Sequence, residues 1–288
     1  MLLISIGDIN TLISFFNGAF GQGTAAEPLE VVLTADIDFA DMPGIYSWAA
    51  GTGAASNDWY VNFDGGWHTI SNIYYSGGDL WFLFPNLRSG YLKNLYLRDM
   101  YIITGDRASL VRNMYNVAYI QDVHITGKIE SGNYASGFAL YVNSSSNNIR
   151  ECSFSGELKS KNAGGILYSR SNSPNAKIVN CCFIGKIDAA TQAAGIICTS
   201  STAVNSFFRG IIISSKVYPL TNTANMATCC YAVLYDGTSD TVQNVAQNNC
   251  LYDSDKATEA GITVPGLTAA TSEQLKSAIY MRNAGYAV

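Results

Sequence analysis

Ile120–Gly127 (IQDVHITG), Ile149–Gly156 (IRECSFSG) and Ile178–Gly185 (IVNCCFIG) share one template, and its reading decides the fold. The closing glycines lie 29 residues apart, and Asn205–Gly210 (NSFFRG) follows after a further 25. Upstream, Leu92–Leu97 (LKNLYL) fits the same frame 28 residues before Ile120. A second glycine recurs in each unit, at Gly137, Gly164-Gly165 and Gly195. A fixed period of this length marks a solenoid. Within each unit the apolar residues alternate, as Val123/Ile125, Cys152/Phe154 and Cys181/Phe183, which is the spacing of a strand with one buried face. Helical repeats are thereby set aside. Three short strands separated by Gly, Asn and Ser turns fit such a unit, so the reading is all-β: a single-stranded right-handed parallel β-helix, or β-solenoid, of about eight coils.

Coils that rise by one strand spacing, roughly 4.8 Å, place equivalent residues in ladders along the axis. A charge repeated down a ladder repels itself, whereas Asn, Ser and Thr hydrogen-bond with their copies, which accounts for a charged fraction of only 14%. Lys128, Glu157 and Lys186 share one ladder with alternating sign, an arrangement that stabilises. A hydrophobic content of 48% excludes wholesale disorder. The net charge of −5, without a basic stripe, argues against a nucleic-acid partner. No run of about 18 apolar residues is present, so no membrane span is expected.

An open solenoid end exposes core and unpaired backbone, so both ends need caps. Asp8 reads as the N-cap of a helix that carries Leu12, Phe15 and Phe16 on one face and stops near Gly18. Thr271 and Gln274 read as a capping box, with Leu275, Ala278 and Ile279 on the apolar face and Gly285 as terminator. The chain therefore divides into an N-terminal cap and lead-in (1–28), a β-helix (29–250) and a C-terminal capping segment (251–288).

Val32–Phe39 (VLTADIDF), Phe63–Ile73 (FDGGWHTISNI) and the Gly-Gly-Ile turns resemble the GLUG-type β-helix proteins, and Thr271–Lys276 (TSEQLK) resembles the segment that closes them. Trp67 stands where that family has a small residue, and Trp81–Phe84 (WFLF) replaces its usual GLFG. The resemblance implies a surface adhesin or a phage fibre protein. The expected function is a non-enzymatic phage virion component, a tail fibre or spike that attaches to a bacterial surface glycan or to other virion proteins. A homo-oligomer, as a trimer, is implied with it. The alternatives are a polysaccharide depolymerase spike and a secreted bacterial adhesin. The opening MLLISIGDINTLISFF has no basic residue ahead of its apolar run, is interrupted by Asp8 and Asn10, and lacks a small-residue cleavage site; it reads as mature sequence, in keeping with assembly in a host cytoplasm.

Candidate chemistry is sparse. Asn94, Asp122, Glu151, Asn180 and Asn205 form one column, which places Asp122 and Glu151 on neighbouring coils as a candidate carboxylate pair for a glycosidase or a cation. The alternative is a solvated pair relieved by Lys93 and Arg150. The seven cysteines show no C-x-x-C spacing, so neither a zinc site nor a disulfide framework is indicated. Cys152 and Cys181, in the inward column of Leu95 and Val123, read as small apolar filler. His68 and His124 lie far apart in the repeat order, and no G-x-S-x-G accompanies them. Gly51-Thr-Gly53 lacks the third glycine and the lysine of a phosphate loop, so no cofactor is implied. The 18 tyrosines are the best pointer to a partner. Tyr74, Tyr75, Tyr115, Tyr119, Tyr134, Tyr141 and Tyr168 fall at or near turns, where a ring with a hydroxyl suits a sugar or a protein surface.

Overall fold

Alternating inward positions become continuous stacks once the chain coils. In the computed structural model, every pairing between described strands is parallel, and the strands wind into a β-solenoid of about seven turns. The structure describes residues 3–41, 58–169, 176–198, 201–223, 227–228, 230–235, 237–239, 242–243 and 247–276. Right-handed winding, expected from the sequence, is the hand that parallel crossover connections take. On the first sheet the inward column runs Ile4, Val31, Phe63, Leu92, Ile120, Ile149, Ile178, Ala203 and Ala227, all buried. The second sheet stacks Ile37, Ile70, Leu97, Ile125, Phe154, Phe183 and Phe208. Its last three rings lie 5.2 and 5.8 Å apart. A third carries Tyr75, Ile102, Ile129, Leu158, Ile187 and Ile212.

Each coil is more segmented than three strands, because two further short ladders form. One runs through Trp81, Ala108, Ala135, Ala163 and Ala193, the other through Phe84, Val111, Ala139, Leu167 and Ile197. The repeating glycines set the period by sterics. Gly127, Gly156, Gly185 and Gly210 have φ between 132° and 153°, and a Cβ at Gly156 would sit 1.8 Å from the Gly127 carbonyl oxygen. The preceding corner is left-handed: Asn94, Asp122, Glu151, Asn180 and Asn205 have φ of 48–57°, where short polar side chains are tolerated best.

The ladder extends past both expected boundaries. Strand Leu3–Ile6 already pairs with Leu29–Leu33, and strands Leu251–Asp253 and Thr268–Ala270 continue the ladder from Tyr231–Leu234, so segment 1–28 contributes one rung and segment 251–288 two. Between the first two rungs, helix α1 (Ile9–Phe16) is capped by Asp8, which accepts from the N–H groups of Asn10 and Thr11 at 2.9 and 3.0 Å. Phe15 and Phe16 of α1 plug the coil end against Trp59 and Phe84, with ring centroids 5.2 Å apart in each contact. At the far end Asp253 caps helix α2 (Ser254–Glu259), which the sequence reading missed. Helix α3 (Ser272–Lys276) opens with the expected capping box: Gln274 accepts from Thr271 N–H at 2.8 Å and donates its own N–H to the Thr271 hydroxyl at 3.1 Å. Ala278, Ile279, Gly285 and Cys229 lie outside the described residues, as does the Gly51-Thr-Gly53 segment.

Candidate functional site

Inward positions of the second sheet fill the core, so its alternate positions face out, and their composition is unlike that of an ordinary sheet surface. Thr69, Tyr96, His124, Ser153, Cys182, Phe207 and Tyr231 form one outward column. At its N-terminal end Trp67, 53% exposed, lies against Tyr96 (6.2 Å between centroids), and Tyr96 stacks on His124 (5.3 Å). The His124 Nδ1 is 2.8 Å from the Ser153 hydroxyl. Burial holds this imidazole below the usual histidine range, so the ring is neutral at neutral pH.

The parallel outward column adds charge and hydroxyls. Arg98, exposed, lies beside the Tyr96 ring (5.4 Å) and makes no ion pair among the described residues. A polar recess of about 530 Å³ opens next to it, lined by Asp36, Asp38, Ser71, Asn72 and Asp99. Thr69 N–H donates to Asp36 at 2.8 Å and the Asn72 amide to Asp38 at 2.7 Å, and these bonds hold both carboxyls below the usual aspartate range. A second recess of about 580 Å³ shares Asn72 and Asp99 but is apolar, walled by Phe39, Ile73, Tyr74 and Tyr101. Tyr74 and Tyr101 stack at 5.5 Å, each 39% exposed. The face thus offers ring surfaces beside fixed carboxylates, amides and hydroxyls, the combination that binds a sugar by stacking and by hydrogen bonds to its hydroxyls.

Of the tyrosines singled out from the sequence, Tyr74 borders this face, and the others do not converge there. Tyr119 stacks on Tyr91 at 5.3 Å on the first sheet, with Arg150 beside it, and Tyr115 lies under Arg88 at 4.0 Å. Tyr134 and Tyr168 meet at 5.0 Å, and together with Tyr141 they belong to a second small core around Phe82 and Leu140. The expectation that these rings stand outside any core fails for Tyr75 and Tyr168, each 5% exposed. Burial pushes the Tyr168 phenol up. The physical reason is that a coil with five ladders has extra concave corners, and large rings fill them.

Asp122 and Glu151 do fall on neighbouring coils, since Gln121 pairs with Arg150 and His124 with Ser153. Both occupy the left-handed corner, at φ of 51° and 57°, so a backbone requirement accounts for Asp122 in a column otherwise rich in Asn. Glu151 accepts from Gln121 at 3.0 Å, and Gln121 accepts from Arg150. No group of three metal-ligating side chains occurs among the described residues. What the sequence reading missed was the outward column itself. Its signal was present in the residues between the inward ones, Tyr96/Arg98 and Phe207/Arg209.

No family model matches the chain, and no curated protein matches it. Among solved structures the fold is similar to a crystal structure of a candidate immunoglobulin A1 protease from Bacteroides ovatus. The TM-score is 0.63 at 17% identity, covering 97% of this chain and 86% of that one. At that identity the likeness shows a shared fold alone.

Proposed function

We propose that this protein is a non-enzymatic carbohydrate-binding solenoid, an attachment component that recognises a bacterial surface glycan. The observation that carries the reading is the Trp67–Tyr96–His124 ladder, exposed at Trp67 and half-buried at Tyr96 and His124, beside Arg98 and the Asp36/Asp38/Asn72/Asp99 recess. Rings flanked by preorganised polar groups are suited to sugars, and no helix among the described residues is long and apolar enough to cross a membrane. The resemblance to GLUG-type proteins supports a phage virion appendage as its setting, with a trimer as its assembly.

The test is binding without turnover. Purified protein incubated with capsular and cell-wall polysaccharides should retain them in a pull-down while generating no new reducing ends. Release of reducing ends that Asp122→Asn or Glu151→Gln abolishes, with binding preserved, would replace this reading by the depolymerase one. Retention of none of the polysaccharides would remove the carbohydrate reading altogether.

A further inference from the structure

The outward columns that begin at Tyr96 and Arg98 do not end there. Followed by strand register, the first passes His124, Ser153 and Cys182 to Phe207 and Tyr231, whose rings stack at 4.9 Å and 6°. Past a register shift between Leu97 and Met100, a second column next to Arg98 runs in register through Thr126, Ser155 and Ile184 to Arg209, also exposed. Arg209 donates to the Tyr235 hydroxyl at 2.7 Å, and it makes no ion pair among the described residues. The same pairing of stacked rings with an arginine beside a tyrosine therefore occurs twice on one face. At the second site α2 and α3 wall a recess of about 630 Å³ that includes Phe207, Tyr231 and Arg209.

Between the two clusters the face changes character. Thr126, Ser153, Ser155, Cys182 and the exposed Ile184 occupy it, and the Cys182 thiol, pushed up to about 11 by burial, is uncharged at neutral pH. From Tyr96 to Phe207 is four coil steps, roughly 19 Å at the strand spacing. An extended pyranose unit is about as long as one coil rise, so the span matches about four sugars, one per coil. The middle carries Ile184 as a single large exposed apolar side chain among hydroxyls, too little for the apolar centre of a protein interface, and it lacks the cations needed for an anionic polymer. The aspartates around Arg98 weigh further against an anionic chain.

Resting on the carbohydrate reading above, we infer that these columns form one continuous track for a neutral linear polysaccharide lying along the solenoid axis, gripped at both ends by an aromatic–arginine cluster. Binding then depends on ligand length, because a short oligomer reaches one cluster only and a chain of about four or more units engages both.

The experiment uses the full chain on an array of linear oligosaccharides of two to eight units, neutral and uronic-acid-containing. Affinities follow by calorimetry for the chains that bind. Two variants borrow residues the columns already carry: Trp67→Asn matches Asn94 at the left-handed corner of the next coil, and Phe207→Ser matches Ser153. Arg98→Ala and Arg209→Ala repeat the test on exposed side chains without disturbing packing. Neutral hexamers are expected to bind at least about tenfold tighter than dimers. Each variant should bring hexamers down to the dimer level. Equal affinity for dimers and hexamers, sensitivity to one cluster alone, or a preference for uronic-acid chains would overturn the track while leaving carbohydrate binding intact. Binding to no glycan on the array would overturn the carbohydrate reading itself.

Discussion

Ser206 shows what a small polar inward residue after a left-handed corner does. Its hydroxyl donates to the Val204 carbonyl at 3.0 Å and accepts the Cys181 N–H of the preceding coil at 3.1 Å. Cys230 and Cys250 repeat the relay, each donating to the carbonyl two residues back and accepting an N–H from the coil before, at 3.5 and 3.4 Å. Cys152 and Cys181 make the donor half, to Arg150 and Val179. These thiols are therefore hydrogen-bonding groups, and the reading of Cys152 and Cys181 as apolar filler misses half their role. Ser206→Ala should cost about 1–3 kcal/mol in a denaturant melt, since it leaves the buried Cys181 N–H unpaired while the Val204 carbonyl keeps the Asn180 N–H, whereas Ser206→Cys should stay within about 1 kcal/mol. At the other corner, Gly156→Ala should cost more than about 3 kcal/mol, because its Cβ has no room in a conformation L-residues avoid. The six described cysteines are free. Burial lifts Cys182 to about 11 and Cys198 to about 12, so native labelling at pH 7 should be slow. Titration in denaturant without reductant should recover all seven thiols; a clear shortfall would reveal a disulfide.

At the scale of the element, the third sheet carries its charge as a checkerboard. Lys128, Glu157 and Lys186 alternate at 3.9 and 3.8 Å, and beside them Glu130, Lys159 and Asp188 alternate in the opposite sense. The closest contacts are Lys159 to Glu130 at 2.8 Å and Lys128 to Glu130 at 3.2 Å. The Lys159 hydrogen bond holds the Glu130 carboxyl below its usual value near 4.5. A depressed carboxyl stabilises the fold above its unfolded value, and this contribution is lost as the pH falls through the lower, folded value. The melting temperature should thus fall as the pH drops below about 4.5, and Glu130→Gln should flatten that fall. Each pair is solvent-facing and worth about 0–1 kcal/mol, so high salt should also reduce the effect.

For the whole molecule, stability comes from stacking neighbours, and each coil touches only the next. Caps therefore matter out of proportion to their length. Replacing Phe15 and Phe16 together by serine should unseat α1 from Trp59, Phe63 and Phe84 and lower the melting temperature by several degrees, read by circular dichroism. The trimer implied by the family resemblance is tested by light scattering, which should give three times the chain mass of 31.0 kDa. A mass of one chain would assign the tyrosine-rich corners to internal packing and ligand contact.

The period, the strand spacing and the charge ladder were legible in the sequence, because each follows from local spacing repeated by a coil of constant length, and the N-terminal capping helix and the Thr271/Gln274 capping box were legible from local side-chain chemistry. Gly127, Gly156 and Gly185 mark the corner wherever they stand, and Asp8 caps its helix through neighbours two and three residues away. The extra ladders, the burial of Tyr75 and Tyr168, and the thiol relay were decided only in three dimensions. They depend on which side chains meet across coils some 20–32 residues apart. The aromatic–arginine track is of the same kind: Tyr96, Arg98, Phe207 and Arg209 are ordinary alternating residues in the chain, and only the parallel stacking of coils brings them to one face.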